Sequence, residues 1–219
     1  MKVFKSTKKM VILAVLGALS AILMLLEIPY PPFPFLRLDI SDLPALLVAQ
    51  TLGVGPAILV AIFSSLVSLM TRGIRSPFGI GLITAAISSS AVAVFYVWTK
   101  KWFPSPANAT RGKKFKTHAL RWTVFLAMYS LLMTVLNFLF ITPIFLGGIW
   151  FTDIVGTPEI GWLSPIGADW NSPLLAYTVI VMVIYIPFNV LKGVIVLALY
   201  EIIQPRLMPQ LQKVLNLRQ

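Results

Sequence analysis

Long apolar runs dominate this chain, and they exclude most soluble folds before any single residue is considered. The stretches 10–28, 78–99 and 122–142 each hold about twenty residues with almost no charge. Inside lipid every backbone N–H and C=O must find its partner within the segment, so such runs read as membrane helices. Composition agrees, with 58% hydrophobic and 11% charged residues, where soluble domains carry roughly a quarter charged. At about 20 residues per span plus connections, the 219 residues hold five to seven helices. The expectation is an all-α integral membrane protein, a six-transmembrane-helix bundle forming a single membrane domain.

The net charge of +11 could suggest nucleic acid, but its placement argues for a bilayer. Lys2, Lys5, Lys8 and Lys9 precede the first apolar run. Lys100, Lys101, Arg111, Lys113, Lys114, Lys116 and Arg121 fill one loop, and Arg206, Lys213 and Arg218 lie in the tail. Fourteen of the 18 basic residues thus fall in three blocks separated by apolar spans. The positive-inside rule leaves such blocks on the cytoplasmic face, so both termini are expected there. No basic stripe is interleaved with aromatics as nucleic-acid binding would need. With no cysteine, disulfides, thiolate zinc sites and iron–sulfur clusters are excluded.

The first run follows a basic stretch, as a signal peptide would. It is too long for that and runs into the proline-rich Tyr30-Pro31-Pro32-Phe33-Pro34 with no small-residue cleavage site, so it reads as a retained helix over about 9–28. Gly53-Val54-Gly55-Pro56 breaks the next stretch into helices over about 42–52 and 56–71. Further helices are expected over about 78–99, 122–142 and 187–203, the last beginning at Pro187. A cytoplasmic basic loop, 100–121, and an external segment, 144–172, complete the layout. That external segment holds Asp153, Glu159 and Asp169 with no lysine or arginine. No twenty- to fifty-residue repeat is apparent, which counts against inverted-repeat folds.

Several chemistries have no residues to carry them. There is no G-x-x-x-x-G-K-[ST] cradle for a nucleotide, and Gly79-Ile80-Gly81 reads as helix packing. His118 is the single histidine and sits in the basic loop, so no paired-histidine metal site exists. Asn108-Ala109-Thr110 matches a glycosylation acceptor but falls on the expected cytoplasmic side. The chain is therefore not expected to be an enzyme.

Polar groups within apolar spans are costly, which makes them informative. Asn137 lies near the outer end of its helix, and Asn189 and Lys192 are three apart on one helical face. No carboxylate stands at helical spacing from Lys192. These donors could converge on a polar or anionic ligand, or the amides could bond across helices while Lys192 snorkels. Ala14, Gly17, Ala18 and Ala21 put small residues on the first helix, and Ser88-Ser89-Ser90 do so on the fourth; both read as close helix packing. Arg72 and Arg75, on the expected outer side, suit an anionic solute or interfacial anchoring equally.

Two motifs carry a resemblance. Leu36-Arg37-Leu38-Asp39-Ile40-Ser41-Asp42-Leu43-Pro44-Ala45-Leu46 and Pro187-Phe188-Asn189-Val190-Leu191-Lys192-Gly193, with Lys9-Met10 opening an alanine-rich first helix, resemble the S-components of energy-coupling-factor vitamin transporters. The riboflavin-binding branch is the nearest in pattern. The resemblance implies a six-helix bacterial plasma-membrane subunit that binds a vitamin from outside and has no cofactor of its own. It further implies docking on a transmembrane coupling subunit with two ATP-binding cassette ATPases, which alone bind ATP. It implies a substrate site drawn from Asn137, Asn189, Lys192, Asp42, Ala45, Leu46, Phe78 and Thr84, and a coupling-subunit contact through Ala14, Ala18 and Ala21. Pantothenate, carried by related S-components, remains an alternative ligand. A self-sufficient secondary transporter remains an alternative class, although Glu27 and Glu201 both sit near span ends.

Overall fold

A computed structural model describes residues 6–31, 33–74, 76–105, 110–145 and 173–215. Helix α1, Thr7–Leu25, leads into a hairpin of strands β1, Ile28–Tyr30, and β2, Phe33–Leu38. Helices α2, Asp42–Thr51, α3, Val54–Arg72, and α4, Ile80–Trp102, follow. Helix α5, Arg111–Leu136, passes through a π-helical turn, Asn137–Ile141, into the short α6, Thr142–Phe145. Helix α7, Pro173–Val214, completes the described chain. Among the described residues, five helices are long and apolar enough to cross a membrane. The ten-residue α2 spans only about 15 Å at 1.5 Å per residue, half a bilayer. The fold is mostly helical, with five candidate spans and α2 held among them.

Four expectations change. The chain is not all-α: Ile28 pairs with Leu38, Pro29 with Arg37 and Tyr30 with Phe33 in an antiparallel ladder. Helix α1 stops three residues short of 28 because Pro29 pushes Ile28 out of helical geometry. The last helix does not begin at Pro187 but at Pro173, with Pro187, Pro205 and Pro209 inside it. One proline removes one backbone bond, and packed neighbours tolerate that loss within a membrane. The basic segment 100–121 is mostly helix, since α4 runs to Trp102 and α5 starts at Arg111. Lysine, arginine and alanine are good helix formers in water, so the helix outlasts the apolar run. The external segment 144–172, Arg75 and the Asn108 acceptor lie almost wholly outside the described residues.

The position of α2 organises the bundle. Every residue from Asp42 to Ala49 is buried, and from Leu43 to Ala49 the helix is apolar all round, as a helix inside protein should be. Leu43, Leu46 and Leu47 pack with Val92, Phe125, Val196, Leu197 and Tyr200 from α4, α5 and α7. On the other side Ala45, Val48 and Ala49 meet Leu16, Ala57, Val60 and Ala93. Gly53, with φ at +97°, makes the reversal into α3 that a residue with a Cβ would resist. At that lower end Lys100 donates to the Gln50 side chain at 2.8 Å, so α2 points its C-terminus at the basic face. Gly193 lets α7 approach α5: a Cβ there would lie 2.7 Å from a Leu126 methyl.

Candidate functional site

A cavity of about 370 Å³ opens at the end of the bundle opposite the basic clusters. Its walls are the last turns of α1 and α3, the first half of α4, the upper parts of α5 and α7, and β2. Asn137, Asn189, Lys192 and Thr84 all line it, which brings four of the sequence candidates together from three helices. Met24, Leu36, Ile80, Met133, Tyr185 and Phe188 supply apolar surface. The hairpin is tied to this wall through Tyr30, whose ring meets Phe188 edge-on at 5.5 Å.

Lys192 does not snorkel. It is 7% exposed, and its ammonium lies 3.2 Å from Asp39 Oδ2 and 3.3 Å from Asp42 Oδ2. The sequence offered no carboxylate at helical spacing because these partners come from the segment after β2, 153 residues earlier for Asp39. A buried ammonium without such partners would be prohibitively costly, so the pairing fixes where the chain after β2 must sit. Asp39 also accepts from the Ser41 amide at 2.9 Å and from the Ser41 hydroxyl. Asp42, fully buried, accepts from the Ser89 hydroxyl, with Ser88 at 3.5 Å. Ser88 in turn meets the Tyr129 hydroxyl at 2.8 Å, so Ser88 and Ser89 serve this network, whereas Ser90 donates to the Ala86 carbonyl of its own helix.

The two asparagines are half engaged. Asn137 donates to the Met133 carbonyl at 2.7 Å, and Asn189 lies 3.5 Å from the Thr134 hydroxyl. The π-helical turn beginning at Asn137 alters the register there, a feature frequent at functional sites. Thr84 spends its proton on the Ile80 carbonyl of its own helix, leaving its oxygen as an acceptor.

The other candidates sit elsewhere. Asp42, Ala45 and Leu46 are at or near 0% exposure beneath the cavity and do not line it. Phe78 is 83% exposed, on a left-handed turn before α4, and is not among the residues that line the cavity. On α1, Ala14 and Ala18 are exposed, whereas Ala21 is buried at 5%, so the three do not share one outer face. Gly17 instead faces inward, where a Cβ would meet the Phe63 ring at 2.5 Å.

Sequence reasoning left Arg37, Asp39 and Tyr129 of the wall unassigned, and it named Arg72 only as an outer-side cation and Glu27 only as a carboxylate near a span end. Asp39 stood in the same short motif as Asp42, and only burial separates them. Glu27 bridges Arg37 at 2.8 Å and Arg72 at 3.2 Å, and Arg72 also donates to the Met24 carbonyl. No local spacing would have joined Glu27, between α1 and β1, to Arg37 on β2 and Arg72 at the end of α3.

A family described as the substrate-specific component of ECF transporters matches residues 8–204. The riboflavin transporter FmnP of Bacillus subtilis (strain 168) is 23% identical over 207 residues, covering 94% of this chain and 95% of its own. The riboflavin transporter RibU of Lactococcus lactis subsp. cremoris is 30% identical over 144 residues, or 64% of this chain and 65% of its own. RibU of Staphylococcus aureus (strain TCH60) is 23% identical over 215 residues. Among solved structures, the S component of a bacterial ECF transporter superposes with a TM-score of 0.63 at 20% identity, covering 93% of this chain and 96% of that one, which is a likeness of fold.

Proposed function

The chain belongs to the substrate-specific components of ECF transporters, and from that premise we propose that it captures riboflavin from outside the cell for import driven by partner ATPases. Its family and relatives are transporter components, not enzymes, and riboflavin is cargo rather than cofactor. The observation that carries the reading is the cavity wall, where Asn137, Asn189 and Lys192 meet apolar and aromatic surface.

Riboflavin is a flat, largely apolar ring system with one edge of alternating carbonyls and N–H, and a chain of hydroxyls. A carboxamide offers donor and acceptor side by side and so suits that edge. Lys192, Thr84, Ser88 and Tyr129 offer donors and acceptors to the hydroxyl chain, while Met133, Ile80, Tyr185 and Phe188 suit the ring. The volume of about 370 Å³ falls within the roughly 300–1,000 Å³ of ordinary ligand sites. Asp42 acts from below by holding Lys192, and Ala45 and Leu46 support the floor by packing.

The basic ends of α1, α4, α5 and α7 are taken as cytoplasmic by the positive-inside rule, with both termini inside and the cavity outside. The exposed Ala14 and Ala18 face of α1 is where close contact with a coupling subunit would occur. Partner ATPases hydrolyse ATP to drive release.

The test is titration of the detergent-purified protein with riboflavin, read by quenching of flavin fluorescence and by any co-purified flavin absorbance. Saturable binding that weakens in Asn189→Ala and is lost in Lys192→Ala supports the reading. Absence of flavin binding with retained pantothenate binding by calorimetry would replace the ligand.

A further inference from the structure

We propose that Glu27 sets the charge selectivity of the cavity: by holding both Arg37 and Arg72, it keeps the site for an uncharged flavin and against a phosphorylated one. This rests on the flavin reading above. Both oxygens of the Glu27 carboxylate are engaged, Oε1 by Arg37 at 2.8 Å and Oε2 by Arg72 at 3.2 Å. The side chains are 18% exposed for Glu27, 10% for Arg72 and 54% for Arg37, so the Arg72 bond is the sheltered one. All three line the cavity wall.

Among the described residues, three cations border this cavity: Arg37, Arg72 and Lys192. Each is met by carboxylate, the arginines by Glu27 and Lys192 by Asp39 and Asp42. Among the described residues, and counting Asp42 beneath the wall, three cations stand against three carboxylates, which leaves no surplus positive charge around the cavity. A phosphate ester carries close to two negative charges at neutral pH. Drawing it into a sheltered site with no net compensating charge costs desolvation that nothing there returns. A neutral ring and polyol meet no such cost and use the amides, hydroxyls and the paired ammonium as hydrogen-bond partners.

Removing the Glu27 charge inverts the balance. Two guanidiniums, each a planar fork suited to phosphate oxygens, would then face the cavity without their carboxylate. One residue, placed between the end of α1 and β1, therefore decides which charge class of ligand is admitted.

The experiment measures dissociation constants for riboflavin and riboflavin 5′-phosphate by flavin fluorescence on the full chain in detergent, at low and moderate salt. The native protein should favour riboflavin by about tenfold or more, the size of a lost charge-assisted interaction. Glu27→Gln should shift the ratio toward the phosphate ester by about tenfold, and added salt should reverse part of that shift. Arg37→Glu, at the more exposed partner, should shift the ratio the other way, and it provides a reading if Glu27→Gln does not fold. Riboflavin binding with a ratio that stays fixed in the folded variants overturns the role of Glu27. A native preference for the phosphate ester also overturns it. Failure of the native protein to bind either flavin instead removes the ligand reading on which the proposal rests.

Discussion

The two ends of this bundle use charge in opposite ways. At the basic end Lys101, Arg111, Lys113, Lys114, Lys116, Arg206 and Lys213 are exposed side chains. Glu201 is the one described carboxylate there, and it serves His118 at 3.0 Å and the Trp122 indole at 2.8 Å. At the cavity end the described cations are fewer and each is matched with carboxylate; Lys192 and Arg72 are sheltered, and Arg37 is half exposed. Between the ends lies an apolar layer of Leu43, Leu46, Leu47, Val92, Phe125, Val196 and Leu197. The same residue type, lysine, therefore stands exposed at one end and lines a cavity wall at the other. Burial, not count, separates the two uses.

The sharpest way to break this contrast is to exchange lysines. Lys192→Met should strand two carboxylates in a buried site, costing about 3–5 kcal/mol. It should appear as a large fall in melting temperature together with loss of riboflavin binding. Lys113→Met, at an exposed position, should change neither. Equal melting temperatures for the two variants would dissolve the distinction.

A smaller effect is expected for Asp42→Asn, which leaves Lys192 with Asp39 alone. A stability loss of about 2 kcal/mol, the scale of one hydrogen bond to a charged group, should be measurable by thermal unfolding in detergent. Because Asp42 lies beneath the wall, riboflavin should still saturate the variant, with weakened affinity. Complete loss of binding at unchanged melting temperature would return Asp42 to direct ligand contact.

Asn189→Ala sharpens the site itself. One lost neutral hydrogen bond amounts to about 1 kcal/mol, so riboflavin affinity should fall several-fold to tenfold while melting temperature moves little. Glu201→Gln should do less than any of the cavity-end changes. The exposed pair with His118 contributes under about 1 kcal/mol, and flavin titration should give the native dissociation constant. An affinity change there would mean that the basic end communicates with the cavity through the apolar layer.

Much of the cavity wall was legible because it lies on regular helices. Asn137, Asn189 and Lys192 are polar positions in apolar spans, and the cost of burying them in lipid marks them, whereas Thr84 was named only through the family resemblance. Gly53 and Pro56 likewise marked the break between α2 and α3 by local backbone chemistry. The hairpin was not legible, since β1 is three residues long and contains a proline that ordinarily argues against a strand. Helix α7 was cut at Pro187 for the same reason: local propensity marks a break that packing against α5 overrides.

The amino-acid sequence alone determined a membrane protein with charge segregated to one face, because hydropathy and charge placement act residue by residue. It also determined where most helices lie, since helix periodicity and proline act within a few residues. Only the tertiary structure decided that Lys192 belongs with Asp39 and Asp42, that Glu27 joins two arginines, and that Asp42 supports the wall rather than lining it. Those facts join positions up to 153 residues apart. The energy of a buried charge depends on which partner the fold delivers to it, and no local pattern encodes that delivery.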